Sequence, residues 1–139
     1  MNRIYCEIKK CLHCRRCELA CYMKNADSDN IFELAKAKEK PAKSIELIHV
    51  FDTSLPLVCR QCDEALCVDA CISGALKYDE EKKIVYLNKD KCVGCWSCIM
   101  RCPNGSIKNI KDKAVKCDLC FNKESPECVN ACPTGALYI

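Results

Sequence analysis

One segment of the sequence has the cysteine spacing C-x2-C-x2-C-x3-C-P, with ligand candidates at Cys92, Cys95, Cys98 and Cys102. Thiolate sulfur is a soft ligand that suits zinc and iron–sulfur clusters. The spacing is that of bacterial cysteine runs whose thiolates bind the iron atoms of [4Fe–4S] clusters. The segment therefore predicts a cluster site, and its chemistry would be the exchange of electrons.

Three further groups of cysteines repeat or vary this spacing, so that all 17 cysteines except Cys6 fall into four quartets. The first quartet is Cys11, Cys14, Cys17 and Cys21; the second is Cys59, Cys62, Cys67 and Cys71; the third is the segment Cys92–Cys102; and the fourth is Cys117, Cys120, Cys128 and Cys132. The first keeps the spacing without the proline, whereas the second and fourth have longer gaps before their third cysteine. Four quartets predict four [4Fe–4S] clusters as cofactors.

Disulfide bonds and zinc are the two other uses of cysteine that the sequence leaves open. The number of cysteines is odd, and Met1 leads into Asn2–Tyr5 without an apolar signal region, which does not favour a secreted disulfide scaffold. Zinc sites usually pair two C-x2-C doublets across a longer loop, whereas tight triplets place three sulfurs around one centre. Iron–sulfur clusters are therefore the favoured interpretation.

Charge and hydropathy exclude several classes of function. The formal net charge is +3, but a cluster with four thiolates carries about −2, so the loaded protein would be negative. Nucleic-acid binding is therefore not expected, and no stretch approaches the roughly 20 apolar residues of a membrane span. We expect a cytoplasmic protein, with attachment to a membrane through a partner as an alternative.

The chain between the quartets contains a repeat and one insertion. Three quartets end in tails of the form Cys-x-x-Gly-x-apolar, at 71–76, 102–107 and 132–137. Ile84–Leu87 is predicted as a strand that forms a hairpin with 76–78. Residues 22–58 lack cysteine; helical turns are predicted at Phe32–Lys40, before Pro41, and a strand at Ser44–Phe51. This insertion is interpreted as a flap over a cluster, or as an element that binds a partner.

The pairing of the quartets follows from a general rule, because the fourth cysteine of one run in a two-cluster ferredoxin ligates the cluster of the other run. The second and third quartets are separated only by the hairpin, so they are predicted to pair, which leaves the first and fourth as an outer pair. The predicted ligand sets are set 1, Cys11, Cys14, Cys17 and Cys132; set 2, Cys59, Cys62, Cys67 and Cys102; set 3, Cys92, Cys95, Cys98 and Cys71; and set 4, Cys117, Cys120, Cys128 and Cys21.

The predicted fold class is α+β, with duplicated bacterial two-cluster ferredoxin-like modules, one inserted in the other, and little regular secondary structure. The outer module is 1–30 plus 108–139, the insertion is 31–51, and the inner module is 52–107. Cys6 is predicted to be an ordinary buried thiol, with a substitute ligand or a contact between subunits as alternatives. Four lysines, Lys108, Lys111, Lys113 and Lys116, are interpreted as a surface run.

Several motifs resemble the four-cluster ferredoxin-like electron-transfer subunits of bacterial redox enzymes. They are Cys14–Cys21, Cys59–Cys62 and the ending Glu127–Leu137. The segments Asp29–Glu33 and Cys95–Met100 are most similar to the iron–sulfur partner of nickel carbon monoxide dehydrogenase. In that family the interleaved pairing also occurs, and the subunit has no catalytic residues or substrate site of its own.

The resemblance implies a relay of electrons from carbon monoxide dehydrogenase to a hydrogenase or a flavin-dependent reductase. The same subunit serving an aldehyde oxidoreductase, a formate dehydrogenase or a hydrogenase is the alternative. A structural or regulatory zinc or iron–sulfur protein is an alternative of another class. One departure from the family is Ile72-Ser73 in place of Pro-Thr, which is expected to alter a turn near one cluster.

Overall fold

The computed structural model describes residues 2–39 and 41–139, and its helices and strands are short. The helices are α1 Arg16–Ala26, α2 Ile31–Lys36, α3 Leu66–Asp69, α4 Ser97–Arg101 and α5 Glu127–Asn130. The strands are β1 Tyr5–Cys6, β2 Glu46–Val50, β3 Thr53–Leu57, β4 Leu76–Asp79, β5 Ile84–Leu87, β6 Lys108–Ile110, β7 Lys113–Val115 and β8 Leu137–Tyr138. The prediction of a small mixed fold with little regular secondary structure is confirmed.

The strands of the described residues pair into four separate two-stranded antiparallel sheets, β1–β8, β2–β3, β4–β5 and β6–β7. The predicted hairpin is β4–β5, in which Leu76 lies opposite Leu87. In β1–β8 the two ends of the chain meet, with Cys6 opposite Leu137. Because each sheet is only two strands wide, the sheets cannot form a continuous core and serve instead to hold the loops between them.

The insertion folds back onto the outer quartets. The strand predicted at Ser44–Phe51 is β2, and the side chains of Ile45 and Leu47 are buried in the same apolar cluster as Cys17 and Cys128. The buried Glu18 of α1 accepts a hydrogen bond from the Leu47 N–H at 2.7 Å, which fixes β2 against α1. The insertion therefore covers cysteines of the first and fourth quartets.

The predicted helix in the insertion is shorter than expected. It ends at Lys36, whereas the prediction placed its end near Pro41. Residues 37–39 are polar or small and exposed, so further turns would bury no apolar side chain, and short helices depend on such burial. Lys40, the last residue of the predicted helix, and Met1, the first residue of the predicted outer module, lie outside the described residues.

Apolar side chains of the described residues form two buried clusters. One contains Ile4, Cys17, Ile45, Leu47, Val58, Ile84, Leu119, Cys128 and Leu137. The other contains Ala75, Leu76, Val85, Cys92, Cys98, Ile107 and Ala114. Cysteines belong to both clusters, so the apolar packing and the thiol sites are built together. Within residues 2–39 and 41–139, no helix has the length and apolar character needed to cross a membrane.

Candidate iron–sulfur cluster sites

The loop that begins each quartet contains a backbone reversal at the same position. The residue before the second cysteine has a positive φ in all four quartets; these residues are His13 (55°), Gln61 (46°), Gly94 (71°) and Leu119 (53°). Left-handed backbone turns the chain sharply, so the first and second cysteines of a quartet can face a common centre. At Gly94 the space is also limited, because a Cβ there would lie 2.7 Å from the Asp112 carbonyl oxygen.

Short helices carry the later cysteines. The third cysteine lies within a helix in every quartet, for example Cys67 in α3 and Cys98 in α4. The fourth cysteine lies one or two residues beyond the end of that helix in three quartets, whereas Cys21 lies inside the longer α1. In the second quartet the Cys71 N–H bonds the Val68 carbonyl at 3.0 Å. A helical turn therefore sets the direction of each fourth cysteine.

Three cavities each contain three cysteines of one quartet and the last cysteine of another. The first cavity is lined by Cys59, Cys62, Cys67 and Cys102. The second is lined by Cys11, Cys14, Cys17 and Cys132, together with Cys6. The third is lined by Cys71, Cys92, Cys95 and Cys98. The same combination in each cavity suits one kind of thiolate-bound group repeated three times.

The remaining four quartet cysteines also come together, through the packing of α1 against α5. Burial, and then the charges of Cys21, Cys120 and Cys17, raise the pKa of Cys128 to about 12. Cys21 therefore lies with the triplet of the fourth quartet, and Cys17 of the first quartet is a neighbour of that group. Cys117, the first cysteine of the fourth quartet, is a neighbour of Cys59 of the second quartet. Burial raises the pKa of Cys117, and the charge of Cys59 adds to that increase.

The sulfur atoms surround space instead of converging on one point. Within the described part of the chain, no three His, Cys, Asp or Glu side chains are arranged to hold a single metal ion. A lone zinc ion binds sulfur at about 2.3 Å and needs its ligands close to one another. A [4Fe–4S] core is larger and takes four thiolates. The cysteine-lined cavities thus fit such a group by donor chemistry.

Burial disfavours the charged form of several of these thiols. It raises the pKa of Cys17 to about 11 and that of Cys67 to about 11. A metal core reverses this preference, because a coordinated thiol is deprotonated by the positive charge of the metal. The buried thiols are therefore suited to metal ligation and would be neutral without it.

Backbone N–H groups point at the sulfur atoms. The donors are Ser44 to Cys21 at 3.2 Å, Gln61 to Cys59 at 3.4 Å, Leu76 to Cys71 at 3.4 Å, Ala114 to Cys92 at 3.5 Å, Leu119 to Cys117 at 3.5 Å and Glu127 to Cys120 at 3.5 Å. Such donors stabilise negative charge on sulfur and are one way in which a protein raises the potential of a cluster.

The turn after the second quartet is not altered, contrary to the sequence expectation. The Gly74 N–H bonds the Cys71 carbonyl at 3.2 Å, and the Gly135 N–H bonds the Cys132 carbonyl at 3.4 Å. The hydroxyls of Ser73 and Thr134 lie 3.7 Å from the sulfurs of these two cysteines. Serine supplies the hydroxyl that threonine would, and Ile72 points into solvent, where proline is not needed.

Cys6 lies on β1 and lines the same cavity as the sulfurs of set 1. Burial raises its pKa, and the charges of Cys11 and Cys132 add to this increase. No local pattern around Cys6 indicates this position, because it depends on the pairing of β1 with β8 at the opposite end of the chain.

Two polar residues beside the sites were missed or misread from the sequence. Lys111 is exposed, as expected of a surface run, but Lys116 is buried at 8% exposure. Gln61 is buried as well and bonds the Cys117 carbonyl at 2.9 Å. The position of Lys116 directly before a quartet cysteine is no signal of burial, since Lys10 and Lys91 directly precede Cys11 and Cys92 and are exposed.

Comparison with known proteins agrees with this geometry. Residues 50–139 match the model of the 4Fe-4S dicluster domain family. The electron transport protein HydN of Escherichia coli K12 is 34% identical over 99% of this chain and 87% of its own length. The putative electron transport protein YsaA of the same strain is 34% identical over 99% of this chain and 88% of its own length. An iron-sulfur protein of Rhodospirillum rubrum is 33% identical over 96% of this chain and 79% of its own length.

The chain therefore belongs to the 4Fe-4S dicluster domain family, in which the predicted ferredoxin-like fold class is confirmed. It is an electron-transfer iron–sulfur protein that carries [4Fe–4S] clusters.

Proposed function

We propose that the chain binds four [4Fe–4S] clusters and relays electrons between two partner proteins. Cofactors would be held by sets 1 to 4 with the interleaved pairing. Three cysteine-lined cavities carry this proposal, because each contains three cysteines of one quartet and the final cysteine of another. The convergence of Cys21 on Cys120 and Cys128 supports the fourth set.

The same pairing supports the division into an outer module, 1–30 plus 108–139, and an inner module, 52–107. The larger apolar cluster contains side chains from both chain ends, such as Ile4 and Leu137, and Val58 and Ile84 of the inner module also join it. The second cluster is built mainly from the inner module, to which Ala114 of the outer module adds. The insertion, 31–51, belongs with the outer module in this proposal, because Ile45 and Leu47 join the larger cluster.

The exposure of the cysteines indicates where partners would dock. Among the cysteines, Cys14 of set 1 and Cys95 of set 3 are exposed, and the others are buried or half-buried. Sets 4 and 2 lie between them, because Cys128 is a neighbour of Cys17 and Cys117 is a neighbour of Cys59. Clusters exchange single electrons at potentials that the protein adjusts. The proposed order along the relay is therefore set 1, set 4, set 2 and set 3.

Exposed apolar side chains lie beside both ends of this order. Leu12 lies between the first two cysteines of set 1 and is 70% exposed, and Val93 lies between two cysteines of set 3 and is 66% exposed. Exposed apolar groups that adjoin a functional site are typical of docking surfaces. This arrangement supports separate donor and acceptor partners at opposite ends of the relay.

For the electron donor we propose nickel carbon monoxide dehydrogenase, and for the acceptor a hydrogenase or flavin-dependent reductase. The proposal rests on the resemblance carried by Asp29–Glu33 and Cys95–Met100. An aldehyde oxidoreductase, a formate dehydrogenase or a hydrogenase is the alternative donor, since the family subunits share the cysteine pattern. Free thiols and oxygen-sensitive clusters favour a reducing compartment, so we place the protein in the cytoplasm.

The test begins with anaerobic purification and measurement of iron and sulfide, for which four cubanes require about 16 of each per chain. The loaded protein is then mixed with catalytic nickel carbon monoxide dehydrogenase under CO, and in parallel with formate dehydrogenase and formate. Bleaching of the visible absorbance is followed, with dithionite as the control for reducible clusters.

Rapid bleaching with CO at substoichiometric enzyme is the expected result. Bleaching only with formate would replace the proposed donor and leave the relay intact. An iron content near eight per chain, with two clusters, would contradict the four-cluster proposal itself.

A further inference from the structure

Lys116 is a cation in an unusual position, because its side chain is buried between two of the candidate cluster sites. It is only 8% exposed. It lines the cavity of set 2 and directly precedes Cys117 of set 4. Burying an ammonium group away from water is costly unless hydrogen bonds and an opposite charge compensate for it.

The hydrogen bonds of Lys116 are complete and identify it as the ammonium form. Its Nζ donates to the Cys117 carbonyl at 2.8 Å, to the Val85 carbonyl at 2.8 Å and to Gln61 Oε1 at 3.2 Å. An ammonium has three donors and no acceptor, whereas a neutral amine has only two donors. Three acceptors around one nitrogen therefore match the charged state.

Gln61 holds this arrangement in place. Its Oε1 accepts from the Val85 N–H at 2.9 Å, and its Nε2 donates to the Cys117 carbonyl at 2.9 Å. These two bonds fix which end of the amide faces Lys116, since neither works after the amide is flipped. The oxygen is thus directed at the ammonium group.

The opposite charge that Lys116 needs is not a carboxylate. Among the described residues, no Asp or Glu oxygen lies within 4 Å of its Nζ. The neighbouring groups that can become negative are thiols: Lys116 lines the cavity of set 2, which contains Cys67, and its Nζ donates to the backbone carbonyl of Cys117 of set 4. The compensating charge is therefore that of the thiolate-bound groups on either side.

We propose that the buried charge of Lys116, positioned by Gln61, raises the reduction potentials of the two central clusters, those of sets 2 and 4, relative to the two terminal ones. This rests on the proposed four-cluster function. Reduction adds one electron to a cluster without making or breaking a bond in the chain, and the added negative charge is stabilised by the nearby cation. A unit charge about 10 Å away at an effective dielectric near 20 changes such an equilibrium roughly tenfold.

The test compares Lys116→Met with Lys77→Met, a matched loss of charge at an exposed lysine of β4. Iron and sulfide are measured first, and the reduction of each cluster is then followed by EPR during titration with dithionite. For Lys116→Met we expect the reduction equilibrium constants of two clusters to fall about tenfold, which corresponds to about 59 mV each. The other two clusters, and all four in Lys77→Met, should not shift.

Gln61→Glu is the second variant, and it tests the proposal if Lys116→Met loses iron. It keeps the side-chain shape and places a carboxylate against Lys116, at the loss of the hydrogen bond from Gln61 Nε2 to the Cys117 carbonyl, so the same two clusters should shift in the same direction. A loaded Lys116 variant with four unshifted clusters, or with all four shifted equally, would overturn the proposal and leave the relay standing. Wild-type protein with fewer than four clusters would instead refute the proposed function. Failure of the Lys116 proposal can therefore be distinguished from failure of the proposed function.

Discussion

The same structural unit occurs twice among the described residues, once in the inner part and once where β1 pairs with β8. Each unit runs from the last cysteine of a quartet through a glycine turn into a strand, whose partner strand leads by a 3₁₀ turn into another quartet. In the inner unit the Asn88 N–H bonds the Ala75 carbonyl at 2.8 Å, and in the outer unit the Glu7 N–H bonds the Ala136 carbonyl at 2.8 Å. The local geometry is therefore almost identical.

The two units differ in how the chain connects them. In the inner unit a short turn joins β4 to β5, and four residue pairs form. In the outer unit β1 and β8 lie at opposite ends of the 139-residue sequence, and only two residue pairs form. Closing a long loop costs more entropy than closing a short one. A cluster site thus does not require local chain connectivity, but the outer site depends more on the cluster that it holds.

Removal of iron should have the largest effect and should separate the two units. Burial raises the pKa of several cysteine thiols, among them Cys17 and Cys67, and small metal-dependent folds lose structure when the metal is withdrawn. During anaerobic chelation we expect amide protection to disappear first in β1 and β8 and later in β4 and β5, followed by hydrogen exchange. Equal loss in both hairpins would contradict the expected difference between the units.

Truncation of the leucine that begins each returning strand should have the next largest effect. Leu137 and Leu76 are both buried and hold corresponding positions in β8 and β4. Each change to alanine should destabilise its unit by about 2–5 kcal/mol. Because β1–β8 has fewer pairs, Leu137→Ala should also lose the iron of one cluster on gel filtration, whereas Leu76→Ala should retain all of its iron. The opposite pattern of iron loss would show that connectivity does not matter.

Alanine in place of two glycines should have a smaller and unequal effect. Gly74 has φ +65°, and a Cβ added there would have no atom within 4 Å, whereas a Cβ on Gly94 would meet the Asp112 carbonyl at 2.7 Å. Gly74→Ala should cost roughly 1–2 kcal/mol from left-handed backbone alone. Gly94→Ala should cost more, measured as the lower thermal midpoint of the two loaded variants. Equal midpoints would show that the Asp112 loop moves freely.

Proline at position 72 should have the smallest effect. Ile72 is 78% exposed and corresponds to Pro133 in a turn with the same hydrogen bonds. Surface changes of this kind usually alter stability by less than about 0.5 kcal/mol. Ile72→Pro should therefore leave the thermal midpoint and the cluster potentials of the loaded protein unchanged. A marked shift would show that the two turns differ in a way that their hydrogen bonds do not reveal.

The cysteine spacing allowed much of this molecule to be predicted, because ligand geometry dictates spacing over a few residues. It predicted the fold class, and the apolar segment Ile84–Leu87 predicted the β4–β5 hairpin, whose strands are close in sequence. It did not predict that Cys6 lies beside set 1 or that Lys116 is buried, since both depend on contacts between distant segments. Lys116 resembles its exposed neighbour Lys111 in sequence, and only the fold distinguishes them.

The helix in the insertion shows the same limit. Its start at Ile31 follows the capping residue Asn30, whose side chain accepts from the Phe32 N–H at 2.9 Å, and such caps can be recognised locally. Its end at Lys36 depends on which side chains find apolar partners. That information lies in the packing and not in the local sequence.

The interleaved ligand sets are the central claim, and one comparison of three variants tests it most directly. Cys132→Ser, Cys14→Ser and Cys120→Ser are purified anaerobically, and their Mössbauer spectra are compared with that of the unaltered protein. Our account places Cys132 with Cys14 in set 1, so the spectra of these two variants should lose or change the same component, and Cys120→Ser should change a different one. A Cys132→Ser spectrum that matches Cys120→Ser would contradict the account, because each quartet would then hold its own cluster.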